Sequence, residues 1–265
     1  MTRVLSGAVL LLLAIAAVWL TSQSTFLGLA CVLLLVSTRE LVVLARASGV
    51  PVAGWPSMLA ACITLVAWAG SEWLPVPQAL LIVLLTQSVA LGLVTLSRWS
   101  GGPDALSSAA AAFLPTLYLA LPIGALVATR AERGPEALFL LMLTVMTSDT
   151  AQYYTGRIVG RTPLAPRISP KKTVEGALGG FLFGSFVLGV LGAWWLPDVS
   201  AAIRVLLGIL VVAAGIAGDL FESMLKRSAG LKDSSSSIPG HGGVLDRIDA
   251  LLFAAPVYFV ALLFV

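Results

Sequence analysis

Charge is the main shortage in this sequence. Of its 265 residues, 11% are Asp, Glu, Lys or Arg, whereas 58% are hydrophobic, and the mean hydropathy is +1.00. A soluble domain carries about 25% charged residues and roughly 45–50% apolar ones. Because so few charges cannot cover a water-facing surface, water is not the main solvent of this chain.

Residues for several common chemistries are also missing. The chain has one histidine, His241, and two cysteines, Cys31 and Cys62, which both lie inside apolar runs. It contains no HExxH, no CxxC and no GxxxxGK followed by Ser or Thr, so zinc catalysis, thiol redox chemistry and Walker-type nucleotide binding have no support. The net charge of +3 suits the topology of a membrane protein and therefore says little about partners. No nucleic-acid partner is expected.

What the sequence does contain is a series of long apolar runs. A membrane-spanning helix needs about 20 mostly apolar residues, and such runs favour helices over the alternating strands of a barrel. We therefore predict an all-α, polytopic integral membrane protein with about nine transmembrane helices. The first run, which follows Arg3, also resembles a secretory signal and is interpreted as a span. The predicted spans are 4–20, 25–44, 56–74, 78–97, 105–129, 135–156, 175–197, 201–226 and 246–265.

The basic residues predict the orientation. A cytoplasmic N-terminus leaves only Arg130, Arg133 and Arg204 of the 16 Lys and Arg residues outside, as the positive-inside rule requires. Charge within the spans is concentrated in the second half of the chain. We therefore divide the chain into scaffold helices at 1–130 and a catalytic region at 131–265, which together form one membrane-embedded unit.

Carboxylates at membrane depth are the strongest functional signal. Burying one costs about 2.5–3.5 kcal/mol even on insertion scales, so such residues are functional candidates. Clustered carboxylates repel one another unless a cation lies between them, and their oxygens suit Mg²⁺. The structural alternative is ion pairing with nearby Lys and Arg. The candidate carboxylates lie on two helix faces. One face carries Asp219, Glu222, Ser223 and Lys226, spaced i, i+3, i+4 and i+7. The other carries Asp246 and Asp249, spaced i, i+3.

Two basic loops are predicted to bind phosphate. The loop that joins the two acidic helix faces places Lys226, Arg227 and Lys232 beside glycines, which allow backbone N–H groups to approach a ligand. This combination is typical of a polyphosphate site. A second segment precedes a helix that is predicted to begin near Thr173, and its alternative interpretation is an ordinary cytoplasmic loop. Its basic residues are Arg157, Arg161, Arg167, Lys171 and Lys172.

Residues 223–249, SMLKRSAGLKDSSSSIPGHGGVLDRID, resemble the signature of the phosphatidate cytidylyltransferases, also called CDP-diacylglycerol synthases. The similarity includes SPKKTVEGALGG and the segment from Asp149 to Arg157, so it covers roughly residues 145–256. The chain departs from the family pattern at Ser235 and Ser236, where many members have glycine and then a basic or polar residue. The second change removes a candidate phosphate contact.

The resemblance implies that CTP and phosphatidic acid react to give CDP-diacylglycerol and pyrophosphate. It implies Mg²⁺, with room for a second, monovalent cation, and a site that faces the cytoplasm from a bacterial inner membrane. A homodimer is left open. The implied catalytic residues are Asp219, Lys226 and Asp246, and the implied metal ligands are Asp149, Asp219, Glu222, Asp246 and Asp249. The implied substrate-binding residues are Lys171, Lys172, Ser223, Arg227, Lys232, Asp233, His241, Gly242, Gly243 and Arg247.

Two local expectations concern the loop at 226–246 within this signature, which we call the signature loop. The run from Ser234 to Ser237 is expected to be a flexible lid outside the metal site, because serines favour turns. His241 is expected to hold a phosphate or order the loop rather than act as a base, because a phosphomonoester is already largely ionised at neutral pH.

Two other functions fit part of the pattern. A CTP-dependent lipid kinase would attack the γ-phosphorus of CTP instead of the α-phosphorus. A transporter would also place carboxylates in the membrane, but it would spread them across the bilayer, whereas these acids are predicted near one face.

The first testable prediction is topological. The loops at 157–172 and 226–246 should share the cytoplasmic side, because this arrangement places most Lys and Arg there. Single cysteines in the two loops should be labelled by an impermeant reagent from the same side of the membrane. Labelling from opposite sides would contradict a single site served by both loops.

Overall fold

A computed structural model describes residues 2–68, 75–238 and 242–265. The chain forms two compact units. Unit 1 comprises Met1–Ala128 and Leu225–Arg247, and unit 2 comprises Thr129–Met224 and Ile248–Val265. The signature loop therefore packs within the unit formed mainly by the first half of the chain.

The structure is built almost entirely from helices. One run is continuous from Ala105 to Val159 and changes its hydrogen-bonding pattern along the way. The helices are α1 (Thr2–Leu20), α2 (Gln23–Ala47), α3 (Gly54–Ala67), α4 (Val76–Arg98), α5 (Ala105–Leu114), a π-helical turn (Pro115–Ala120), α6 (Leu121–Val159), α7 (Val174–Trp195), α8 (Ala201–Ser228) and α9 (Leu245–Leu262).

Helix lies at each of the predicted spans, and the all-helical membrane class is confirmed. Within the described residues, five stretches are long and apolar enough to cross a membrane. The count of nine and the cytoplasmic N-terminus stay predictions. Helix α3 has 14 residues and is about 21 Å long, which is short of the roughly 30 Å hydrocarbon core. The five stretches are Gln23–Ala47, Val76–Arg98, Ala105–Val159, Val174–Trp195 and Ala201–Ser228.

The long run from Ala105 to Val159 contains two irregularities, a π-helical turn and a kink. Pro115 begins the π-helical turn, in which the N–H of Leu121 donates to the carbonyl of Thr116, five residues earlier. Such turns accommodate an irregular backbone inside a helix. Gly134 breaks α6 with φ 85° and ψ 168°, a conformation that residues with a Cβ rarely adopt. The break falls between two predicted spans, 105–129 and 135–156.

Glycines in α7 allow close helix packing within unit 2. Gly176, Gly180 and Gly184 are buried at intervals of four residues, so they lie on one side of the helix. A Cβ on Gly176 would lie 2.8 Å from the carbonyl oxygen of Gln152, and one on Gly180 would lie 2.9 Å from the hydroxyl of Ser148. Small residues at this spacing let membrane helices approach closely. The stripe therefore packs α7 against the part of α6 that carries Asp149.

The basic segment before α7 is not a simple loop. Strand β1 (Pro163–Ala165) pairs antiparallel with strand β2 (Ser169–Thr173), so the all-α prediction missed a short hairpin. The hydroxyl of Thr173 then caps α7 by accepting the N–H of Gly176 at 3.1 Å. Helix α7 begins at Val174, which confirms the predicted start near Thr173.

Glu175 fixes the residues that connect α6 to this hairpin. Its carboxylate accepts the N–H of Arg161 at 3.0 Å, the N–H of Thr162 at 3.1 Å and the hydroxyl of Thr162 at 2.9 Å. A carboxylate that accepts several backbone donors fixes the chain that carries them. The end of α6 is thereby tied to the first turn of α7 within unit 2.

Replacing this carboxylate should loosen the hairpin. We expect Glu175→Gln to increase the rate of tryptic cleavage in the 157–172 segment, because an amide oxygen cannot replace both carboxylate acceptors. Peptide mapping by mass spectrometry measures the rate. Asp198→Asn, at an exposed carboxylate of the same unit, is the matched control, and equal cleavage of the two variants would contradict this role of Glu175.

Candidate functional site

In unit 2, Asp219 of α8 forms an ion pair with a lysine of the hairpin. The Lys172 Nζ and Asp219 Oδ2 atoms are 2.5 Å apart, and the two side chains are 20% and 29% exposed. Ser223, one turn further along α8, donates its hydroxyl to Asp219 Oδ1 at 3.3 Å. Successive side chains of β2 alternate in direction, and Lys171 is accordingly exposed while Lys172 is half-buried.

Two further carboxylates of unit 2 lie near this pair. Asp149 of α6 interacts electrostatically with Asp249, Lys172 and Asp219. Its Oδ1 atom accepts the Gln152 amide at 3.1 Å. Three carboxylates that interact electrostatically with one lysine carry a net negative charge, which attracts cations.

A glycine lets α8 and α9 meet beside these acids. A Cβ on Gly218 would lie 2.5 Å from the backbone carbonyl oxygen of Asp249, closer than a methyl group can approach. Phe221 and Phe253 pack further along the same contact, with ring centroids 5.4 Å apart. The absence of a side chain at Gly218 therefore allows α8 and α9 to pack closely where they carry Asp219 and Asp249.

In unit 1, Asp246 at the start of α9 is held by four contacts. Its Oδ1 atom lies 2.5 Å from Lys226 Nζ. Its Oδ2 atom accepts the N–H of Ser234 at 2.9 Å, the hydroxyl of Ser234 at 3.0 Å and the N–H of Gly243 at 2.7 Å. Gly243 is buried, and Lys226 is 8% exposed. The signature loop thus closes around the carboxylate of Asp246.

The residue that anchors this loop was not among the predicted site residues. Glu40 of α2 is 4% exposed, and its carboxylate accepts hydrogen bonds from the loop and from the first turn of α9. It was assigned to the scaffold half. The signal that would have identified it is a carboxylate inside an apolar helix, the same signal that identified Asp219.

The prediction of a flexible serine lid is wrong for the first two serines. Ser234 is 2% exposed and lies between the carboxylates of Glu40 and Asp246. Ser235 donates to Glu40 Oε1 at 2.6 Å. Serines do favour turns, but here buried carboxylates accept their hydroxyl protons and fix the segment.

The other predicted residues are distributed over the two units. Glu222 is fully buried in α8 within unit 2. In unit 1, Arg227 donates to the carbonyl of Leu231 at 3.1 Å. His241 lies outside the described residues. The remaining unit 1 positions are Lys232, Asp233 and Arg247, which are exposed, and Gly242, which is half-buried with φ 77°.

Comparison with known proteins decides the family. The sequence model described as "Cytidylyltransferase family" matches residues 1–265. The chain belongs to this family. A Staphylococcus haemolyticus protein named phosphatidate cytidylyltransferase is 31% identical over 259 residues, covering 97% of this chain and 96% of that protein.

Other members of the family are more similar over a shorter region. Proteins with the same name from Synechocystis sp. and Aquifex aeolicus are 48% identical over 141 residues and 40% identical over 148 residues. These matches cover 50% and 56% of this chain. The chain spans about half the length of these two relatives, 46% and 53% respectively.

By their chemistry, the acids described above suit a hard cation. Their present spacing suits one less well. Carboxylate oxygens are the ligands that Mg²⁺ prefers. Among the residues that the structure describes, no three His, Cys, Asp or Glu side chains are grouped to hold a metal ion. Protein sites for Mg²⁺ usually supply one or two carboxylates and leave the remaining positions to water and substrate phosphates. Asp219, with Asp149 and Asp249 nearby, fits that partial set.

The close approach at Gly218 yields a prediction about stability. Gly218→Ala should lower the free energy of unfolding by about 1–3 kcal/mol, because the new methyl group overlaps a backbone carbonyl. Gly215→Ala is the matched control, since its Cβ would lie 3.7 Å from that of Ala250 and alanine favours helix. Thermal unfolding in detergent micelles measures both variants. Equal midpoints would contradict the packing described here.

Proposed function

We propose that this protein transfers a cytidylyl group from CTP to phosphatidic acid, producing CDP-diacylglycerol and pyrophosphate for phospholipid synthesis. The observation that carries the proposal is a carboxylate paired with a lysine in each unit. Lys172 lies 2.5 Å from Asp219 in unit 2, and Lys226 lies 2.5 Å from Asp246 in unit 1. Family membership and the names of the relatives support the same reaction.

The reaction is an in-line displacement at phosphorus. A phosphate oxygen of the lipid forms a bond to the α-phosphorus of CTP, while the bond from that phosphorus to the bridging oxygen breaks and pyrophosphate leaves. The nucleophile is already an anion, so no strong general base is needed. The main obstacle is repulsion between negative phosphates, and catalysis therefore depends on positive charge and positioning.

The two lysines supply that positive charge, and each is positioned by its ion pair. In each pair the carboxylate balances the ammonium group, which would otherwise be costly to bury at membrane depth. A triphosphate offers several anionic oxygens and competes for these ammonium groups. Lys172 and Lys226 are therefore proposed to turn from their carboxylates to phosphate oxygens when CTP binds.

The carboxylates would then hold Mg²⁺, which neutralises developing charge on phosphate oxygens in such reactions. In unit 2, Asp219 is the proposed principal ligand, supported by Glu222, Asp249 and Asp149. In unit 1, the proposed ligand is Asp246. A second, monovalent cation is left as a proposal. Arg227, Lys232 and Lys171 are proposed to contact phosphate, together with His241 and Arg247.

The membrane setting suits both substrates. A diacyl lipid cannot leave the bilayer readily, so it is proposed to reach the site sideways from the lipid, whereas CTP arrives from water. We place the site on the cytoplasmic side of a bacterial inner membrane, with about nine spans and a cytoplasmic N-terminus. A homodimer is compatible with this arrangement, and no nucleic acid takes part.

A labelling experiment tests the function. Purified protein in micelles is given phosphatidic acid, Mg²⁺ and CTP labelled at either the α- or the γ-phosphate, and the lipid is then extracted. The proposal predicts α-label in the lipid and γ-label in pyrophosphate. γ-Label in the lipid would identify a kinase, and the absence of both labels from the lipid would contradict any transfer to this acceptor.

The paired carboxylates yield a prediction about turnover. Asp219→Asn and Asp246→Asn should each leave a folded protein that retains less than about 1% of the wild-type kcat, because an amide cannot replace the charge that balances lysine and cation. Asp104→Asn, at a loop carboxylate in unit 1, is the control and should change kcat less than about twofold. Near-normal turnover of either site variant at limiting Mg²⁺ would contradict the assignment.

A further inference from the structure

Glu40 connects α2 to the signature loop within unit 1. Its Oε1 atom accepts the hydroxyl of Ser235 at 2.6 Å and the N–H of Val244 at 3.1 Å. Its Oε2 atom accepts the hydroxyl of Ser234 at 3.0 Å and the N–H of Leu245 at 2.8 Å. Both carboxylate oxygens therefore bind residues about 200 positions away in the sequence.

These contacts satisfy donors that have no partner inside helix α9. Leu245 is the first residue of α9 and Val244 precedes it, and the first N–H groups of a helix lack intrahelical acceptors. A carboxylate at this end also interacts favourably with the helix dipole. Glu40 consequently caps the helix whose second residue is Asp246.

Ser234 provides a second connection between Glu40 and Asp246. Its hydroxyl oxygen lies 3.0 Å from both Glu40 Oε2 and Asp246 Oδ2. A hydroxyl has one proton, so it can donate to either carboxylate. Its backbone N–H donates to Asp246 as well. Ser234 therefore occupies the position between the two acids and cannot move without disturbing both.

A side chain at position 243 would displace these atoms. A Cβ on Gly243 would lie 2.0 Å from the Ser234 hydroxyl oxygen and 2.5 Å from Glu40 Oε2. Only a residue without a side chain allows the loop to pass between Glu40 and Asp246. Gly243 is thus required by the carboxylate of Glu40 in α2 and by the hydroxyl of Ser234.

We infer that Glu40 is a positioning residue for the proposed reaction, because it fixes residues 234–235 and 244–245 and, through them, the carboxylate of Asp246. The inference rests on the proposed function and adds a residue outside the signature motif. The contacts that connect Glu40 to Asp246 run through Ser234 and through the start of α9.

The test combines a local and a functional measurement. Hydrogen–deuterium exchange of the 234–245 segment and steady-state kinetics with phosphatidic acid and CTP are measured for the wild type, Glu40→Gln and the control Glu132→Gln. Glu132 is an exposed carboxylate of α6. Glu40→Gln should exchange faster in this segment alone, because one amide oxygen cannot accept all four hydrogen bonds.

The kinetic signature separates positioning from general destabilisation. Per folded molecule, Glu40→Gln should lower kcat about 10- to 100-fold, since small misplacements of catalytic groups have effects of this size. Both KM values should change less than about threefold, because the misplaced carboxylate of Asp246 is proposed to act mainly on the transition state. The control should match the wild type in exchange and in kinetics. If Glu40→Gln does not fold, the Ser234→Ala, Ser235→Ala double variant removes two of the same donors and should show the same pattern.

Each outcome has one meaning. Unchanged exchange in the 234–245 segment would overturn the inference, whatever the activity. Faster exchange with unchanged kcat would also overturn it, because the contact would then serve the fold alone. If the wild type transfers no α-label to lipid, the proposed function fails, and faster exchange in Glu40→Gln would still support the anchoring of the loop by Glu40.

Discussion

A carboxylate within an apolar helix must be compensated, and this constraint determines how the chain is arranged. The free energy lost on removing a charge from water is recovered only when hydrogen-bond donors or a counter-ion replace the water. Asp219 and Asp246 each have a lysine nitrogen at 2.5 Å. Glu40 accepts hydrogen bonds from two serine hydroxyls and two backbone N–H groups. The hairpin, the signature loop and the first turn of α9 are positioned by these contacts.

The same constraint explains why such sites suit phosphate transfer. In a buried ion pair, the positive and negative groups compensate each other. A triphosphate that binds the positive group and a cation that binds the negative group can separate them. The signature loop places its glycines where a side chain would collide, as Gly243 does between Ser234 and Glu40. Gly218 has the corresponding role between α8 and α9 in unit 2. Charge compensation and close backbone approach are therefore used together in both units.

Local features were predictable from the sequence, and long-range contacts were not. The i, i+4 spacing of Asp219 and Ser223 predicted their shared face, and the two side chains are hydrogen-bonded. The start of α7 was predicted from Thr173. Periodicity could not reveal that Lys172 reaches Asp219, because that contact depends on the hairpin. Glu40 was missed because its partners lie about 200 residues away, although its place in an apolar helix was itself a signal.

The central claim is that a lipid phosphate oxygen attacks the α-phosphorus of CTP at these lysine-paired carboxylates. Phosphatidic acid labelled with ¹⁸O in its phosphate oxygens tests this most directly. Mass spectrometry of the products should find all of the label in the CDP-lipid, including the new bridging oxygen, and none in pyrophosphate. Label in pyrophosphate, or a product that contains the lipid without cytidine, would contradict the account.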